Sequence, residues 1–170
     1  MTELLYAPWR ETFILGEKPN GCIFCEPEKR RGVRELILHR GKLAFVVLNR
    51  YPYNSGHLMV VPYRHVGRLE DMTAAEQKEL MFLLALSSKV LNATNNPAGI
   101  NMGMNLGRAA GAGVDGHLHA HLVPRWIGDT NFMPALFDTR VVSVDLEKVC
   151  KRLRAAFRKL TAPAKRRSGS

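Results

Sequence analysis

Three of the six histidines fall within five residues, at His117, His119 and His121, in the run Gly116-His-Leu-His-Ala-His-Leu-Val-Pro124. Side chains of an extended strand alternate between its faces. The histidines would therefore share one face, roughly 6.5–7 Å apart, while Leu118, Ala120 and Leu122 face a core. A single strand histidine is ordinary; three in strict alternation ask for a chemical explanation. Two fit: a metal site built from all three, or a nucleophilic imidazole with neighbours that hold or give protons, since imidazole titrates near neutral pH. The preceding segment favours the second. Gly103, Gly107, Gly111, Gly113 and Gly116 lie just upstream. Glycines let backbone N–H groups approach an anion closely. An anion cradle beside a nucleophile suits a phosphoryl group, whose transfer needs mainly positioning and charge stabilisation.

A second cluster is Cys22-Ile-Phe-Cys25. Only one further cysteine, Cys150, is present, and an odd, low count argues against a disulfide framework. In a reducing compartment such a pair is a metal clip, a redox pair or simply two buried thiols. Zinc would require two more ligands, usually Cys or His.

Short elements must position these groups. Glu35 to His39 and Leu43 to Leu48 read as strands around a turn at Arg40-Gly41. The second is almost wholly apolar, as expected of a strand buried on both faces. His57 to Val61 is a strand stopped by Pro62, and Ile100 to Asn105 is another. His117 to Val123 is a fifth, stopped by Pro124. Thr73-x-x-Glu76 is a capping box opening a helix to about Leu91, with Leu80, Leu83, Leu84 and Leu91 on one stripe. Asn95-Asn96-Pro97 ends it. A last amphipathic helix runs from about Asp145 to Leu160, with Leu146, Val149, Cys150, Leu153, Phe157 and Leu160 inward. The expected fold is α+β: an antiparallel sheet of about five strands with one long helix and a C-terminal helix, in one domain over residues 1–160. Glu76 and Glu79 read as part of the helix start and its solvated face, and His39 as structural or exposed. Arg108 and Arg125 could meet phosphates or simply be exposed. Trp126 and Phe132 suit either core packing or base stacking.

The chain has 170 residues, enough for one domain with a real core, and no apolar run of the length that crosses a membrane. A signal pattern is absent from its first residues, so the cytoplasm is the expected compartment. The net charge is +10, but residues 140–170 carry +8 of it and the remainder only +2. Nucleic acid could therefore be met only through the basic C-terminal end, where 161–170 reads as a disordered tail.

The motif His117-Leu-His119-Ala-His121-Leu-Val, with the flanks HLHAHLVPRWIGDTNFMP and LNRYPYNSGHLMVVPYRHV, resembles the histidine triad (HIT) superfamily, in its bacterial diadenosine tetraphosphate phosphorylase/hydrolase branch. The similarity spans roughly residues 6–140. It implies a HIT-like fold and cleavage of dinucleoside polyphosphates at the α-phosphate. His119 would be the nucleophile and carry the nucleotide, and water or phosphate would release it. His121 and His57 would hydrogen-bond the phosphate and leaving-group region. Asn49 would contact the ribose and Asn105 the phosphate end, while Gly111 and Gly113 would present amides. His65 and His117 match the histidines that complete a structural zinc site with Cys22 and Cys25 in relatives, with no organic cofactor. A twofold homodimer through the long helix and an edge strand is also implied. One departure stands out: relatives carry Gly-Gln-Ser or Gly-Gln-Thr before the triad, whereas this chain reads Gly111-Ala-Gly113-Val-Asp-Gly116. That leaves open other leaving groups, such as a phosphoramidate, an adenylyl-sulfate, a nucleotide sugar or an adenylylated nucleic-acid end, or a nucleotide-binding regulator.

Overall fold

The computed structural model describes residues 21–129 and 145–162; Trp9, Phe132 and most of the basic tail lie outside them. Five strands pair antiparallel: β1 (Ile37–Arg40), β2 (Ala44–Leu48), β3 (Leu58–Pro62), β4 (Gly99–Met104) and β5 (Ala120–Arg125). Their spatial order is β1-β2-β3-β5-β4. A one-turn helix, α1 (Arg31–Arg34), precedes the sheet, while α2 (Ala74–Asn95) and α3 (Leu146–Thr161) pack on it and on each other. This is the expected α+β arrangement. No helix among the described residues is long and apolar enough to cross a membrane.

Both β2 and β3 are buried along their whole length, as a continuous run of apolar residues requires. Leu83, Leu84, Val90 and Leu91 of α2 are almost wholly inaccessible, as are Leu153 and Phe157 of α3. They share one core with Phe45, Leu48, Leu58 and Leu122. Leu160, expected inward, is instead 36% exposed near the end of α3. The capping box forms as read: the Thr73 side chain accepts from the Glu76 N–H, and the Glu76 carboxylate accepts from the Thr73 N–H. α2 runs four residues past Leu91 and stops at Asn96, whose backbone is left-handed (φ 43°, ψ 55°), with Pro97 next.

The two prolines do not stop their strands early. Pro62 is the last residue of β3, opposite Ala44, and Pro124 lies inside β5, opposite Ile100. Both sit near strand ends, where one missing donor is tolerated. The triad strand begins later than its alternation suggests. Pairing with β3 ends at Val60 opposite Ala120. His117 to His119 precede the ladder and lie beside the segment after β3, where Leu118 N–H donates to the Val66 carbonyl at 2.7 Å. Continuing the register would set Val61 and Pro62 opposite His119 and Leu118, so only His117 lies past the end of β3.

The remaining departures concern acids. Glu76 is buried rather than solvated, and takes two hydrogen bonds from Arg64 at 2.8 and 2.7 Å. Glu79 accepts the N–H groups of Lys42 and Leu43 at 2.5 and 3.1 Å, holding the β1–β2 turn against α2. His39 is partly buried and stacks on Phe157, with ring centroids 5.5 Å apart.

Candidate active site and metal centre

His121 is the one triad residue within the ladder, with Met59 opposite it on β3 and Gly103 on β4. His57 precedes Leu58, so it lies diagonally across from His121 on the same face. The two rings meet: His57 Nε2 is 2.9 Å from His121 Nδ1, with centroids 5.1 Å apart. His119 stands edge-on to His121 at 4.9 Å. Its Nδ1 is 2.8 Å from the His117 carbonyl oxygen. A carbonyl can only accept, so His119 carries its proton on Nδ1 and keeps the Nε2 lone pair. A neutral imidazole in that tautomer is a nucleophile at Nε2.

All of these rings are held below the ordinary imidazole range, mainly by burial. His57 is pushed down to about 3 by burial, with His121 and His119 adding to it. Burial brings His121 to about 4, with His119 contributing. Burial also lowers His119, while its bond to the His117 carbonyl works the other way. The cluster is therefore neutral at physiological pH, so each ring has one N–H and one lone pair.

His117 turns away from this group. Its Nδ1 lies 3.2 Å from Cys22 Sγ and 3.7 Å from Cys25 Sγ. Cys25 Sγ is in turn 3.3 Å from His65 Nδ1. One donor atom from each of Cys22, Cys25, His65 and His117 falls within 4.8 Å of the others. Ligands of a tetrahedral zinc ion, with its usual bond lengths, sit roughly 3.3–3.8 Å apart. The set fits such an ion in number, type and spacing. His117 Nε2–H donates to the Pro62 carbonyl at 2.9 Å, which frees Nδ1 as a lone-pair donor. Phe24, between the two cysteines, is buried and touches both His117 (5.7 Å) and His119 (5.3 Å). One aromatic ring thus joins the metal centre to the triad.

The other expected residues surround this core less tightly. Asn49 Oδ1 accepts from the Tyr51 N–H at 2.9 Å, and its amide nitrogen lies 3.3 and 3.4 Å from the two ring nitrogens of His57. Asn105 follows β4 and is partly buried. Gly111 has φ +83° and Gly107 φ +81°, backbone that favours glycine. Side chains built at Gly107, Gly111 or Gly113 would meet nothing within 4 Å, so the loop borders open space. The Gly111 N–H closes a turn onto the Arg108 carbonyl at 2.9 Å. Arg108 pairs with Asp115, and Arg125 with Asp129 and Asn101, within the chain. Trp126 donates from Nε1 to the Asn96 carbonyl.

Sequence reading missed Tyr53. Its ring lies 4.8 Å from His57 and 6.3 Å from His121, and its N–H donates to His57 Nδ1 at 3.1 Å. The only signal was its place in the turn-rich stretch before Gly56. Asp129 was also missed. It accepts from Arg125, from Asn54 at 2.8 Å and from the Trp126 N–H, tying the 51–56 loop to the end of β5.

Residues 31–126 match the HIT domain. The chain belongs to the HIT-domain family. This HIT protein is 50% identical over 147 residues to a protein of Mycobacterium tuberculosis named AP-4-A phosphorylase, covering 81% of this chain and 75% of that one. It is 33% identical over 89 residues to the asymmetrical bis(5'-nucleosyl)-tetraphosphatase of Schizosaccharomyces pombe, covering 52% of this chain and 48% of that one. Among solved structures, a zinc-bound histidine triad family protein from Mycobacterium smegmatis superposes with a TM-score of 0.68 at 24% identity. That match covers 82% of this HIT protein and 95% of the other, and bears on the fold alone.

Proposed function

We propose that this HIT enzyme cleaves dinucleoside polyphosphates of the diadenosine tetraphosphate kind at the α-phosphorus, through a nucleotidyl-histidine on His119. The observation that carries the reading is the His119 tautomer: the bond to the His117 carbonyl leaves Nε2 unprotonated beside His121. The lone pair of Nε2 attacks the α-phosphorus, and the bond to the bridging oxygen breaks. That oxygen departs with the second nucleotide, and the nucleotide left behind is held by a P–N bond. Phosphate or water then attacks the same phosphorus, and the P–N electrons return to Nε2. Half-identity over most of the chain to a protein named AP-4-A phosphorylase favours phosphate as the acceptor.

His121 supplies a hydrogen bond to the phosphoryl and leaving-group oxygens in this reading, and His57 supports it from behind. Asn49 meets the ribose, Asn105 the phosphate end, and the open loop at Gly111 and Gly113 borders the polyphosphate. The missing Gln-Ser segment keeps a different nucleotide conjugate as the second reading. Cys22, Cys25, His65 and His117 would hold one structural zinc, fixing the segment that leads into His119 while staying off the substrate. The compartment is the cytoplasm, where both thiols stay reduced. A homodimer has a surface to use: β4 is an edge strand with Met102 half exposed, and Met81 and Phe82 of α2 are more than 60% exposed.

Incubation with diadenosine tetraphosphate, with and without inorganic phosphate, tests the reading. ADP and ATP formed only with phosphate mark a phosphorylase; AMP and ATP without it mark a hydrolase. No turnover in either condition, with turnover of a phosphoramidate or adenylyl-sulfate, would replace the substrate class.

A further inference from the structure

Three groups form a single directed chain through the site. Tyr53 N–H points at His57 Nδ1 (3.1 Å). A backbone amide can only donate, so Nδ1 must carry the lone pair and the single proton of neutral His57 must sit on Nε2. That proton faces His121 Nδ1 at 2.9 Å. His121 Nδ1 must then be the acceptor, and its own proton is placed on Nε2. His121 Nε2 is buried and, among the described residues, has no hydrogen-bond partner. A buried N–H without a partner is costly, and such an atom in a folded protein asks for an explanation.

We propose that Tyr53 is a positioning residue whose main-chain N–H sets the tautomer of His57 and, through it, makes His121 an Nε2–H donor aimed at a phosphoryl oxygen of the bound substrate. The inference rests on the reading of His119 as nucleophile. The resulting pair is complementary: His119 offers a lone pair at Nε2 and His121 offers a proton at Nε2, with the rings 4.9 Å apart. Identical side chains two residues apart take opposite roles because one is anchored through Nδ1–H to a carbonyl and the other through Nδ1 to a donor chain. The Asn49 amide does not disturb this order. It is nearly equidistant from both His57 nitrogens, whose lone-pair directions diverge, so it cannot point along either. The Tyr53 ring, half exposed, lies over His57 and shields the relay on its outer side.

Nitrogen-15 NMR of the histidine-labelled full chain tests the order directly, without substrate. The expected result is an unprotonated Nδ1 and protonated Nε2 for His57 and His121, and the reverse for His119. A protonated Nδ1 on either His57 or His121 overturns the proposal. Tyr53→Pro removes the N–H, and Tyr53→Ala keeps it while removing the ring. Proline is expected to leave His57 and His121 as tautomer mixtures and alanine to leave them fixed; the same spectrum for both variants overturns the role of the amide. With diadenosine tetraphosphate, Tyr53→Pro is expected to lower kcat about 10–100-fold, with KM within about threefold. If the proline variant does not fold, the native spectrum still decides. A native protein with the expected tautomers but no dinucleotide turnover would remove the proposed function and leave the relay standing.

Discussion

His117 Nε2–H donates to the Pro62 carbonyl, 2.9 Å away, across the end of β3. The bond fixes which nitrogen of His117 faces the two thiols, so the ligand geometry is set by the strand rather than by the ion. One zinc per chain is expected by elemental analysis of protein purified without added metal. Cys25→Ser is expected to lose it, along with several degrees of thermal stability, since structural zinc contributes folding free energy. A variant that keeps stoichiometric zinc would remove Cys25 from the site.

His119→Ala should reduce turnover about a thousandfold or more, because no other side chain takes over the bond to phosphorus. Rapid mixing with substrate followed by intact-mass measurement should find one nucleotidyl group on the native chain and none on the variant. Unchanged turnover in the variant would falsify the nucleophile assignment.

Glu76 joins a cap to an ion pair: it receives two bonds from Arg64 and one from the Thr73 N–H. Arg64 directly precedes His65. Glu76→Ala should cost about 1–3 kcal/mol by denaturant unfolding, the sum of a lost cap and a half-exposed pair. It should also weaken zinc retention, since the PYRHV segment loses its anchor to α2. Loss of stability without any change in zinc content would uncouple the two.

Acid should destabilise the fold in two windows. His57 and His121 sit at about 3 and about 4 when folded, below the ordinary imidazole value. As pH falls through about 6.5 the unfolded chain takes up protons that the folded chain refuses, so stability declines from there down toward those values. Each such histidine steepens the decline by about 1.4 kcal/mol per pH unit. Glu76 adds a lower window. The Arg64 guanidinium, followed by the Thr73 N–H, holds its carboxyl down at about 2, so its contribution is complete above the ordinary carboxylate range and disappears as pH falls through about 2. Denaturant titrations from pH 8 to pH 3 measure the first window; an unfolding free energy that is flat between pH 6.5 and 4.5 would contradict it.

The strands and helices were legible because their patterns are dense. AFVVL reads as a strand buried on both faces, and the leucines at 80, 83, 84 and 91 read as one helical stripe. The triad was legible as a cluster but not in its geometry. Alternation implied three equivalent side chains, whereas Pro62 ends the partner strand and lets the segment before Ala120 turn His117 toward the cysteines. Glu76 was misread as solvated, and the bonds of Glu79 were missed, because their partners, Arg64 and the β1–β2 turn, lie 12 and about 36 residues away in sequence. Tyr53 was invisible for a related reason. Its role depends on a main-chain N–H, which every residue but proline has, and only the fold of the 51–57 loop aims it at an imidazole.

Cys22 and His117 are 95 residues apart in sequence and 3.2 Å apart in space. Closing so long a loop carries an entropic cost that local pairing does not repay. The four donors are brought together by the sheet folded between them, so a complete site reports a complete sheet. Metal uptake would then act as a completion mark on the molecule: a chain misregistered between β1 and β5 leaves its two thiols without the histidines that complete the site, and a colorimetric assay for reactive cysteines would count the unfinished copies.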